Sequence, residues 1–172
     1  MIFAHLPAGY IASKLLYDKF EKHKVSYQSF SYWGMIGSIA PDFDLFYYYT
    51  IDQSRHYHHE YVTHLPVFWL SLLVISITWL ILESNQKQNP TLAVIFTLNG
   101  FIHLILDTIT GKIFWLTPFI SPDKSFTLKP YLLLNQYTLE LLVFVAAICL
   151  WKKNVILENI ARLNKIIFKP QI

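Results

Sequence analysis

The run Leu65–Leu82 contains no charged side chain. A membrane-crossing helix needs about 20 predominantly apolar residues, so this stretch reads as a span and ties the rest of the chain to a bilayer. Two further segments follow the same logic. Thr91–Leu106 is apolar except for Asn99 and His103 and ends on Asp107, while Tyr131–Trp151 is interrupted only by Asn135, Gln136 and Glu140 and is closed by Lys152 and Lys153. A fourth segment, Phe30–Ala40, is short and runs into Pro41, which should end or kink it. With the aromatic stretch Phe43–Tyr49 it could form a broken or re-entrant element. About Pro7 to His23, Lys14, Asp18, Glu21 and Lys22 are spread among apolar residues, the pattern of an amphipathic helix lying against the bundle or at the interface.

The fold class expected is therefore all-α: a membrane helical bundle with about three to four spans plus an N-terminal amphipathic helix. Residues 1–151 read as a single membrane-embedded domain. Residues 152–172, with Ile156, Ile160, Leu163, Ile166 and Ile167 among cations, read as a basic amphipathic tail on the inner surface.

Composition agrees: 54% of residues are hydrophobic, against roughly 45–50% in soluble domains even with glycine counted. The net charge of +3 is small, and no basic-aromatic interleaving of the kind that stacks bases is present, so nucleic-acid binding is not expected. Cys149 stands alone and cannot form an intrachain disulfide. The N-terminus lacks a basic n-region and a plain apolar h-region, so His5 is expected to persist in the mature chain.

Basic residues orient spans, because loops rich in Lys and Arg stay cytoplasmic. If the chain runs from His5 to one face, back to Pro41-Asp42, away again from His64 and back to Asp107, ten basic residues fall on one side (Lys14, Lys19, Lys22, Lys24, Lys87, Lys152, Lys153, Arg162, Lys165, Lys169). Four fall on the other: Arg55, Lys112, Lys124 and Lys129. A cytoplasmic C-terminus follows. The same path gathers His5, Asp42, Asp44, His59, His64, His103 and Asp107 at the opposite, non-cytoplasmic face.

Ionisable groups at the ends of apolar helices are costly and usually have a partner or a function. His103 and Asp107 are four residues apart, on one helical face, where both can grip one cation. A simple His–Asp hydrogen bond within the bundle would use the same spacing. The stretch Arg55-His56-Tyr57-His58-His59-Glu60-Tyr61-Val62-Thr63-His64 holds four of the seven histidines. It is either a polar membrane-border loop or a source of at least one ligand. His59 and His64 mimic the zincin His-Glu-x-x-His pattern with one residue too many; on a regular helix that turns the second ring away by about 140°. In Pro41-Asp42-Phe43-Asp44, two carboxylates flank a phenylalanine. They suit helix capping or hard-oxygen ligation of a metal. His5 alone reads as an interfacial histidine or a further ligand.

Taken in order, His5, Gly37 before Pro41-Asp42-Phe43-Asp44, His59-x-Tyr61-x-Thr63-His64 and His103-x-x-x-Asp107 resemble the YdjM-type bacterial inner-membrane metal-dependent hydrolases. Gly111 and Trp115-x-x-Pro118-Phe119 extend the resemblance, which covers about residues 3–119. Glu60 departs from the family pattern, where an arginine is expected, although Arg55 is near. The ligand order is also remotely similar to that of zinc-dependent phospholipase C.

The resemblance implies a bacterial inner-membrane, multi-pass protein with a divalent metal, Zn²⁺ as first choice, as one or two ions. His5, Asp42, His64, His103 and Asp107 are the implied ligands. Asp42, His64, His103 and Asp107 would hold one ion, and Asp107 would bridge to a second held by His5 with Asp44 or His59, the latter pair being assigned catalytic roles. A metal-activated water would attack a phosphoester, with phospholipid one option, and membrane lipids and a small-molecule or lipid substrate are the implied partners. The nucleophile elbow, P-loop and dinucleotide fingerprints are absent from the sequence. The alternatives are a non-catalytic membrane protein with a structural or transport-related metal site, and a helical interaction protein without metal.

Overall fold

A computed structural model describes residues 3–52, 57–120, 125–129 and 135–153. Six α-helices follow in order: α1 (His5–Phe20), α2 (Tyr27–Ile39), α3 (Asp44–Thr50), α4 (Pro66–Leu82), α5 (Gln88–Thr110) and α6 (Gln136–Trp151). Short 3-10 turns occupy Glu21–His23, Pro41–Phe43, His58–Glu60 and Val62–His64. Among the described residues the only extended pairing is an isolated bridge between Ile113 and Phe126. The all-helical class is as expected.

Ser26 caps α2 by accepting from the Ser29 amide, and Asn135 caps α6 through the Thr138 amide. Prolines at the first turns of α4 and of the 41–43 turn occupy positions where a missing N–H costs nothing. The α2 helix lies between α1 and α5, α4 packs on α5, and α6 packs on α1. Small residues set the α1–α2 contact. Gly9 faces Ser38 and Ser13 faces Gly34, an antiparallel interlock of two small-xxx-small pairs that lets the backbones approach. A Cβ on Gly37 would strike the Phe96 carbonyl of α5, and one on Gly100 would strike the Trp69 ring of α4. These contacts stack α1, α2, α5 and α4 side by side.

Among the described residues only α5 is long and apolar enough to meet the usual length criterion for a span, while α4 and α6 are shorter apolar helices. Their outward faces are nevertheless apolar: Val74, Ile75, Ile81 and Leu82 of α4, and Leu141, Leu142 and Phe144 of α6, are exposed.

One expectation needs adjustment. The first helix starts at His5 rather than Pro7, and it is a packed member of the bundle, buried through His5, Gly9 and Ser13. The small residues that allow this contribute little to an amphipathic pattern. Phe30–Ala40 belongs to α2, which ends at Ile39 before a 3-10 turn and the separate helix α3. The proposed tail over 154–172 lies outside the described residues.

Candidate metal centre

Helix direction does the first part of the work. The start of α1, the end of α2, the approach to α4 and the end of α5 come to one end of the bundle, bringing together His5, Asp42, His64, His103 and Asp107. The 3-10 turn after α2 holds Asp42, and Trp69 ties the start of α4 to the loop before it by donating from Nε1 to the Thr63 carbonyl at 2.7 Å.

Three of the histidines are oriented from behind. His103 Nδ1 lies 2.7 Å from the Ser38 carbonyl. A carbonyl only accepts, so Nδ1 carries the proton and Nε2 presents a lone pair. His59 is arranged alike, with Nδ1 donating to the Lys112 carbonyl at 2.9 Å. His64 Nδ1 lies 2.6 Å from Asp44 Oδ2, and the Thr63 hydroxyl donates to the same oxygen at 2.5 Å. A carboxylate behind a histidine whose far nitrogen points into a cluster is the arrangement that fixes tautomer and raises basicity in metal sites.

The forward-facing atoms converge. His103 Nε2 is 3.0 Å from Asp107 Oδ2 and 3.6 Å from Asp42 Oδ1, and His64 Nε2 is 3.6 Å from Asp42 Oδ1 and 3.7 Å from Asp107 Oδ2. One ligand atom from each of these four residues lies within 4.8 Å of the others. Ligands about 2.1 Å from a tetrahedral ion are about 3.4 Å from one another, which these separations bracket. They are mostly too long for hydrogen bonds. Both His64 Nε2 and His103 Nε2 are buried and lie within 4 Å of the Asp42 and Asp107 carboxylates without a well-formed hydrogen bond. Two buried imidazole nitrogens facing two carboxylates can hold a cation between them, so the donor set fits a divalent metal.

Asp107 reaches two further imidazoles, with Oδ1 lying 3.2 Å from His5 Nε2 and Oδ2 lying 3.6 Å from His59 Nε2. One oxygen of the carboxylate thus faces His5 and the other faces His59, His64 and His103. The His5 ring stacks on His103 at 3.6 Å between centroids.

The electrostatics outside the helices follow from these contacts. Burial opposes a charge on His64, but the carboxylates of Asp42 and Asp44 on its two sides outweigh it and push its pKa up to about 9. Burial dominates at His59 and pulls its pKa down to about 4. For Asp42 burial works upward, yet the His64 hydrogen bond and the imidazoles of His103 and His5 hold it below the usual carboxylate range.

A family model for the YdjM inner membrane protein matches residues 1–168, nearly the whole chain. The chain belongs to the YdjM inner membrane protein family. No curated protein and no solved structure matches it. Membership makes this an inner membrane protein, in keeping with the apolar helix α5 and the exposed apolar faces of α4 and α6.

The structure gives the resemblance its physical content. Gly111 is the close neighbour of His59: a Cβ there would meet His59 Cε1 at 3.0 Å and the Tyr57 hydroxyl at 3.3 Å. The Trp115 indole donates to Thr108 Oγ1 at 2.9 Å, one residue beyond Asp107. His59 and His64, which a regular helix would point apart, sit on two separate 3-10 turns joined at the extended Tyr61, and their rings stack at 4.7 Å.

Of the residues singled out from sequence, His5, Asp42, His59, His64, His103 and Asp107 face one another. Asp44 differs: it stands across the His64 ring from the cluster and touches Thr63, so its place is that of an orienting group. Neither it nor Asp42 makes a side-chain cap to a helix amide. His58 was passed over. It shares a ligand-sized group with His59 and His64, and only the density of histidines in this loop hinted at it. Arg55 and His56 lie outside the described residues.

Proposed function

We propose that this protein is a multi-pass inner-membrane hydrolase that acts on a phosphoester by metal-dependent hydrolysis, with zinc as the first-choice ion. The observation that supports this is the pair of orphaned nitrogens, His64 Nε2 and His103 Nε2, converging on Asp42 and Asp107. Asp42, His64, His103 and Asp107 hold one ion in this reading, and His5, His58 and His59 are the side chains at hand for a second across Asp107. When bound, a divalent ion acidifies water toward neutral pH and offsets the negative charge developing at a phosphorus centre. Ser38, Lys112 and Asp44 hold the three imidazoles in the tautomer that keeps Nε2 free. His59, kept neutral by burial, turns its free Nε2 toward Asp107. The burial of His64, His103 and Asp107 excludes bulk water from three sides, while Asp42 is 24% exposed and leaves the fourth open.

In the same reading α4, α5 and α6 cross the membrane, α1 and α2 run between the same two faces beside α5, the C-terminus is cytoplasmic and the site is non-cytoplasmic. The ten-to-four distribution of basic residues supports this orientation. The 17-residue α4 and 16-residue α6 are short for a core of about 30 Å and would thin the bilayer locally. Near-complete burial of three of the four ligands favours one competing reading, a closed structural site.

The test is hydrolysis of phosphodiester, phosphomonoester and carboxylic-ester substrates by purified protein, with and without chelator, alongside Asp107→Asn. Turnover that disappears in both is expected. Full activity in chelator or in Asp107→Asn contradicts the metal mechanism, and absence of turnover with stoichiometric metal favours the structural site.

A further inference from the structure

The route into the cluster is marked by exposure. His5, His64, His103 and Asp107 are at most 2% exposed, and Asp42 is the ligand that reaches the surface. The exposed residues that follow Asp42 in the chain are aromatic. Phe43 is 63% exposed, Phe46 73% and Tyr49 77%. The α3 helix that carries the latter two buries a single side chain, Asp44, the carboxylate behind His64. This short helix thus holds the site with its inner side and presents an aromatic shelf outward. Across the same end of the bundle Phe119 is 81% exposed.

An exposed aromatic shelf in water would be a liability. At a membrane–water boundary it is the usual arrangement, because amphipathic and aromatic rings settle at headgroup level. The helix most clearly able to cross the membrane, α5, ends at Thr110, immediately past Asp107. Two independent features, the end of the apolar helix and the aromatic shelf, therefore put the cluster at the depth where a bilayer keeps its phosphodiesters. We infer that the substrate is a phospholipid of the bilayer itself, whose headgroup phosphate reaches the cluster over Asp42 along the shelf of Phe43, Phe46 and Tyr49. This rests on the metal-site reading given above.

The test reads proximity rather than turnover. The full chain is reconstituted in phospholipid nanodiscs and loaded with Mn²⁺, and the ³¹P relaxation of the lipid phosphates is compared with His103→Ala given the same total ion. Relaxation enhanced well above that of His103→Ala is expected. A Phe43→Ser/Phe46→Ser double variant that retains its metal should fall to the His103→Ala level. Should the double variant lose metal, Phe46→Gln alone serves the same purpose.

Bound Mn²⁺ with lipid ³¹P relaxation no greater than in His103→Ala would overturn the lipid inference and leave the metal site intact. Relaxation of added soluble phosphomonoester but not of lipid would overturn it equally, pointing to a substrate from water. Failure of the wild type to bind any ion would instead remove the metal-site reading, and this inference with it.

Discussion

Replacing Asp44 by Asn isolates the group behind His64. The amide keeps nearly the same shape and its oxygen still accepts from His64 Nδ1, so the imidazole retains its tautomer and Nε2 still faces Asp42 and Asp107. What is lost is the negative charge at 2.6 Å from Nδ1. A hydrogen bond to a charged group contributes about 1.5–3 kcal/mol and a neutral one about 0.5–1.5. The substitution should therefore weaken metal binding by about 1–2 kcal/mol, or roughly 5–30-fold, overlapping the range of about 10–100-fold for such outer partners. The effect should depend on pH. In the metal-free protein Asp44 also helps to hold a proton on His64, so Asn relieves proton competition and masks part of the loss at pH 7. Above about pH 9, where His64 is neutral in the wild type, the full loss should show. Competition against a fluorescent metal indicator in detergent, at pH 7 and pH 9, measures both. Unchanged affinity at pH 9 would refute the orienting role. A loss as large as that of His64→Ala would make Asp44 a ligand in its own right.

Other outcomes follow from the same geometry. Gly111→Val should displace His59 from the Lys112 carbonyl and weaken any second ion while sparing the first, so metal stoichiometry should fall in titration without loss of the tightest site. Metal binding should release about one proton per ion below pH 9 and tighten about tenfold per pH unit from 7 to 9, because the ion displaces the proton that Asp42 and Asp44 hold on His64. Correspondingly, the raised pKa of His64 stabilises the metal-free fold below about pH 6.5, a contribution lost as pH rises through about 9, readable as a falling Tm of apoprotein. Gly37→Ala drives a methyl into the Phe96 carbonyl and should cost about 1–3 kcal/mol by overpacking, measured by unfolding in mixed detergent.

Much of the site could be read before the fold because its carriers obey simple periodicities. His103 and Asp107 share a face at i and i+4 on any helix, and apolar runs of span length fix which helix ends coincide. That is enough to assemble His5, Asp42, His64, His103 and Asp107 at one end. The loop before α4 escaped the same logic. On two 3-10 turns broken at Tyr61, helical spacing no longer says where His58, His59 and His64 point. Asp44 looked like a ligand because a carboxylate two residues from Asp42 carries no mark of which side of an imidazole it will occupy; the start of α3 decides that. The first helix looked peripheral because its buried stripe, Gly9 and Ser13, is chosen for smallness rather than hydrophobicity. Its packing partner, the Gly34 and Ser38 pair of α2, becomes visible only when the helices are laid antiparallel.

The central claim is that Asp42, His64, His103 and Asp107 hold a metal ion, and elemental analysis of protein purified without added metal or chelator tests it most directly. Wild type, His103→Ala and His23→Ala are compared, the last at the far end of the bundle where its ring meets Thr91. The account predicts at least one equivalent of a divalent transition metal in wild type and His23→Ala, and a large loss in His103→Ala. Metal-free wild type that stays metal-free after incubation with zinc would contradict it, as would metal retained in full by a folded His103→Ala.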